Sequence, residues 1–141
     1  MIEILPHWFA HKRRDSMANK NYVDFSEAYK AIGKNKKQFE KAAVKAVEVA
    51  GEYASKQLKT NTPIGYDTKT HMKDHIVYSK PTVNTPVSEV GFDKEVAWRA
   101  AFVEFGTIKQ PPQAFIQKTM KDIEKQVSTI IQKEMQRRLL R

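Results

Sequence analysis

Cysteine is absent from this 141-residue sequence. Disulfide stapling and thiolate zinc sites are therefore excluded. Glycine is sparse: the five glycines are scattered, and no glycine-rich loop could cradle a phosphate. No apolar run approaches the roughly 20 residues that a membrane-spanning helix needs. Residues 1–14 place their basic side chains after their apolar ones, the reverse of a secretory signal. Acidic side chains are outnumbered, 16 against 25 Lys and Arg, which leaves a net charge of +9. Such a balance favours acidic partners, nucleic acid among them, although scattered charge also serves plain solubility.

Catalytic arrangements are equally thin. His71 and His75 stand four apart near Asp74, a spacing that turns both imidazoles to one side. A metal would need a third and a fourth ligand, and no His-Glu-x-x-His frame supplies them. Serine and threonine are present, but no serine elbow is. Glu95 and Glu104 have no identifiable acid–base partner. The expectation is a protein that is not an enzyme, with no catalytic, cofactor-binding or metal residues.

What the sequence does contain is a dense apolar and aromatic stretch, residues 98–115. Trp98, Ala101, Phe102 and Phe105 recur at helical spacing, which predicts a short helix with those side chains on its apolar face. Gly106 ends that helix, since glycine takes the positive φ of a C-cap most readily. Pro111 and Pro112 hold the following loop extended. Glu104 sits between apolar neighbours and needs backbone donors, a partner or solvent. Two roles stay open for it: accepting backbone N–H groups of its own turn, or pairing with a Lys or Arg of an adjacent subunit.

Around this stretch the chain reads as α+β. A long N-terminal helix is expected over residues 36–59 with Asn35 as N-cap. Residues 68–80 and 87–92 are expected to form an antiparallel pair of strands. A long C-terminal helix is expected over residues 113–140, with Ile116, Met120, Ile123, Val127, Ile130, Ile131, Met135 and Leu139 as its apolar stripe. Phe39, Val47, Ile76, Phe102, Phe105, Ile116, Ile123 and Val127 are expected to share one core. Lys118, Lys121, Lys125, Lys133, Arg137, Arg138 and Arg141 line the last helix and its end. Residues 1–21 are expected to form a flexible arm or extension, with Met17 an alternative start and Trp8 and Phe9 able to dock on a neighbour. Residues 22–141 are expected to form a single domain.

Val103-Glu104-Phe105-Gly106-Thr107, followed by Pro112-Gln113-Ala114-Phe115 before a C-terminal helix, resembles the signature of the neck or tail-completion proteins of long-tailed bacteriophages. The resemblance covers residues 22–141. One departure lies at residues 68–75, where that family carries Gly-x-Leu and Met72 stands in place of the leucine. The resemblance implies a non-enzymatic virion component made in the host cytoplasm. It would act at the head–tail junction as a homo-oligomeric ring, against connector or stopper proteins on one side and tail terminator or tail tube proteins on the other. Weak contact with passing DNA is compatible with its charge. Glu104, Phe105, Gly106, Thr107, Pro111, Pro112, Phe115, Arg137 and Arg138 are then the candidate interface residues. The alternatives are a basic, non-specific DNA-binding protein and, on the strength of His71 and His75 alone, a small hydrolase.

Overall fold

Alanine at positions 42, 46, 50 and 54 places a smooth, strongly helix-favouring stripe along one side of the first helix. In the computed structural model, which describes residues 26–65 and 69–140, this helix is α1, Ser26–Asn61. Ala42, Ala46, Ala50, Gly51, Ala54 and Leu58 are its buried positions. It begins well before the expected residue 36. Asn35 and Gly33 lie inside it, because two weak helix formers cost only about 1 kcal/mol each against continuous hydrogen bonding. The start expected near residue 22, and the arm with Trp8 and Phe9, fall outside the described residues. The chain divides into two compact units, residues 1–34 and residues 35–141. The described part of the first is the opening of α1. Everything below concerns the second unit.

Thr62 ends α1 by turning its hydroxyl back onto the Leu58 carbonyl at 2.6 Å, and Pro63 follows. The expected first strand is mostly irregular: a 3₁₀ turn, Met72–His75, precedes a three-residue strand β1, Ile76–Tyr78. Strand β2, Val90–Phe92, pairs with it antiparallel, with Ile76 opposite Phe92 and Tyr78 opposite Val90. The intervening segment crosses α1 at Gly51. A Cβ built there would stand 2.3 Å from the Ser88 hydroxyl, so glycine lets the hairpin lie directly on the helix. Ser88 also donates to the Ser79 carbonyl at 2.8 Å.

Asp93 turns the chain from the sheet into α2, Ala97–Phe105, by accepting the Val96 and Ala97 amides on its carbonyl and the Glu95 amide on its carboxylate. Helix α3, Phe115–Leu139, then runs back along α1. Asn61 donates to Thr119 at 3.1 Å, and Tyr53 donates to Gln126, so the two helices are antiparallel. The centre of the core is Leu58, Met72, Val96, Ala100 and Phe115, flanked by Ile76, Val90, Phe92, Val103 and Ile116. Phe92 and Phe115 meet edge to face with centroids 6.0 Å apart. The architecture is α+β, in the expected element order.

The core differs from expectation at three aromatics. Ile123 is buried and Ile76 and Ile116 pack against the core, but Phe39, Phe102 and Phe105 are 55%, 53% and 72% exposed. Helix α2 has two opposite apolar stripes. The structure buries Val96, Ala100 and Val103 and turns Trp98, Ala101, Phe102 and Phe105 outward. The small residues let α2 lie close to the sheet and α1, where the aromatic face would not fit. Phe39 is uncovered for another reason: α3 ends before reaching it.

Candidate interaction site

Glu104 belongs to the buried stripe of α2 and is only 4% exposed. Its carboxylate is aimed at the start of α3. Oε2 accepts the Ile116 amide at 2.9 Å and Oε1 accepts the Gln117 amide at 3.1 Å. These are donors of the first turn that have no partner inside their own helix. The residue at the N-cap position is Ala114, which has no side chain able to accept them and adopts a left-handed φ of 49°. Glu104 therefore performs from α2 the capping that Ala114 cannot, with its negative charge at the positive end of the α3 dipole.

The intervening loop is pinned on both sides. Gly106 leaves the helix at φ 79° and ψ 174°, a region that side chains rarely occupy. A Cβ there would also meet the Pro112 nitrogen at 2.7 Å and the Gln110 carbonyl at 2.8 Å. The Thr107 amide donates to the Gln110 carbonyl at 2.8 Å. The Gln113 and Ala114 amides return to the Val103 and Glu104 carbonyls at 3.0 and 3.1 Å. The result is a rigid loop whose outer residues, Thr107, Ile108, Lys109, Pro111 and Pro112, are exposed.

The nine candidate interface residues therefore fall into separate groups. Glu104 and Phe115 face the interior of their own chain, and Gly106 is half-buried in the turn. Phe105, Thr107, Pro111 and Pro112 are exposed on one edge of the molecule. Arg137 and Arg138 are exposed near the far end of α3, where both reach Glu134, at 2.7 and 3.4 Å. Beside Arg137, the Glu134 carboxyl is held below its usual range.

Continuous with Phe105 is a set that periodicity had assigned to the core. Trp98 is 59% exposed and Ile108 fully so. Trp98 and Phe102 stack edge to face, centroids 5.8 Å apart, and the Trp98 indole N–H donates to the Glu95 carbonyl at 3.1 Å. This aromatic row is held in place and left uncovered. Fully exposed aromatics in a row are characteristic of contact surfaces. The sequence did contain a signal for it: Val96, Ala100 and Val103 form a second helical stripe on the opposite face.

His71 and His75 do not converge. His75 Nδ1 lies 2.6 Å from Asp93 and 3.7 Å from Glu95, while His71 Nδ1 is buried without a hydrogen-bond partner. Beside His75, the Asp93 carboxyl is held below its usual range. Among the described residues, no group of three or more His, Cys, Asp or Glu could hold a metal ion. The lysines of α1 are partly neutralised along the helix by Lys36–Glu40, Lys45–Glu48 and Lys56–Glu52 pairs.

A buried carboxylate capping a following helix, a clamped glycine turn and an uncovered aromatic row describe a small α+β domain that presents a contact surface. Residues 26–106 match the family model described as "Bacteriophage HK97-gp10, putative tail-component". The match spans more than half of the chain, and the chain belongs to this family. Val103 to Gly106 lie inside the matched span, and the Pro112–Phe115 half of the signature lies beyond it. Neither the curated proteins nor the solved structures give a match.

Proposed function

We propose that this protein is a non-enzymatic structural component of the virion, acting at the head–tail junction as a neck or tail-completion protein. In this reading identical subunits close into a ring between the connector or stopper and the tail terminator or tail tube. Residues 22–141 form the working domain, preceded by an arm. The observation that carries the reading is the family match over residues 26–106. The exposed aromatic row of α2 supports it, since ring closure needs surfaces that neighbours can cover. Exposed lysines on α3 would add weak, non-specific attraction to DNA passing through such a ring.

Electron microscopy of the purified full chain, and of particles from a phage lacking the gene, tests this. Rings in the first sample and unjoined heads and tails in the second are expected. Normal tailed particles without the protein would overturn the reading. Tight duplex binding at physiological salt with a steep salt slope would favour a DNA-binding protein instead.

A further inference from the structure

Two apolar surfaces of the chain are left uncovered, and they differ. The first is the row Trp98, Phe102 and Phe105 with Ile108 beyond the turn. An aromatic side chain presents about 150–250 Å², and each of these four residues is more than half exposed. The row therefore leaves several hundred Å² open, near the upper end of what a monomer exposes. A standard interface uses roughly 800 Å² per partner, so this row would form most of one side.

The second surface is on α1. The Asn61–Thr119 and Tyr53–Gln126 bonds set the antiparallel register of α1 and α3. Followed along both helices, that register brings the end of α3 at Leu139 opposite residue ~40 of α1. Burial on α1 accordingly begins at Ala42. The same face continues beyond that point: by helical spacing Ile32, Phe39, Ala46 and Ala50 lie within about 40° of one another. Where α3 covers this face it carries alanines. Where α3 has run out it carries Ile32, 62% exposed, and Phe39, 55% exposed. The change from small to large residues occurs where the chain's own cover ends.

We propose that the Trp98–Phe102–Phe105–Ile108 row of one copy seats the Ile32–Phe39 face of a second copy of this chain. This rests on the ring reading above and names the contact that would build the ring. Pairing each surface with itself is disfavoured. Lys30, Lys34, Lys36, Lys37 and Lys41 surround the α1 face, so two such faces would repel. The rim of the α2 row is mixed, with Glu95 beside Lys94 and Lys109. Two unlike surfaces on one subunit also generate head-to-tail association, which closes as a ring where the rotation allows.

The absence of native cysteine gives a direct test on the purified full chain. Phe39→Cys and Phe102→Cys are made singly and together, with Phe105→Cys as a second choice on α2, and treated with a short thiol cross-linker. All three positions are exposed, and circular dichroism checks that folding is kept. The doubly substituted chain is expected to give a ladder of multimers, and each single variant none. Dimers from Phe102→Cys alone would overturn the proposal in favour of symmetric pairing. Rings in the microscope without any cross-linked ladder would overturn this contact and leave the ring reading standing. Neither rings nor ladder would remove both.

Discussion

Glu104 caps Ile116. The carboxylate oxygen of a residue on α2 accepts, at 2.9 Å, the amide of the second residue of α3, and its other oxygen takes Gln117. A charge at 4% exposure is tolerated because both oxygens are satisfied by backbone donors. Of the two roles open to this glutamate in the sequence, the structure displays service to its own turn. Glu104→Gln keeps one acceptor but turns an amide N–H₂ toward a donor. The isolated protein should lose about 1–3 kcal/mol, the cost of an unsatisfied buried polar group. Urea unfolding should show a lower midpoint with unchanged slope. An unchanged midpoint would show that the capping bonds do not support the fold.

Gly51 lies mid-helix, where replacing glycine by alanine ordinarily stabilises by about 1 kcal/mol. Here the sign should reverse. The new Cβ would meet Ser88 Oγ at 2.3 Å and Ser88 Cβ at 2.9 Å, and Ser88 is tied to the Ser79 carbonyl. Gly51→Ala should lower the melting temperature, whereas Gly33→Ala, with nothing near its Cβ, should raise or preserve it.

Two phenylalanines ten residues apart should behave oppositely. Phe115→Ala removes a 6%-exposed ring from the core and should cost about 3–5 kcal/mol. Phe105→Ala removes a 72%-exposed ring and should change stability by no more than about 0.5 kcal/mol. Thermal unfolding of the two variants measures the contrast. Equal losses would place Phe105 back in the core.

Asp93 links acid stability to the turn between β2 and α2. Its carboxyl is held low chiefly by the hydrogen bond to His75, with the Glu95 amide adding to the effect. A carboxyl depressed in the folded state contributes stability above its unfolded pKa of about 3.9, and that contribution is lost as pH falls through the depressed folded value. Stability should therefore decline below pH ~4, and Asp93→Asn should flatten that decline. Urea midpoints across the acid range provide the check. An Asp93→Asn profile parallel to that of the unsubstituted protein would assign the acid sensitivity to other carboxylates.

The order of elements was legible in the sequence because each depends on local features. The alanine stripe of α1, the apolar stripe of α3, the turn-rich segment between the strands and the glycine at 106 act within a few residues of chain. The family resemblance rested on the same kind of local pattern, and the match over residues 26–106 agrees with it. The start of α1 was misjudged at Asn35 for the converse reason. A local cap preference is worth about as much as one helical hydrogen bond, and the continuing helix outweighed it.

The tertiary structure decided which face of each helix points inward. Helix α2 offers two apolar stripes on opposite sides, and periodicity ranks the larger side chains first. Packing reversed that order: Val96, Ala100 and Val103 allow the close approach, and Glu104 on the same side must reach the bare amides of α3. Those amides come into range only through the loop clamped at Gly106, which brings distant chain positions together. Phe39 illustrates the same limit on α1. Its spacing matches the buried alanines, yet its exposure depends on where α3 happens to end. Hydrophobic periodicity identifies a face that wants cover, but only the lengths and register of the neighbouring elements determine whether the chain itself can supply it.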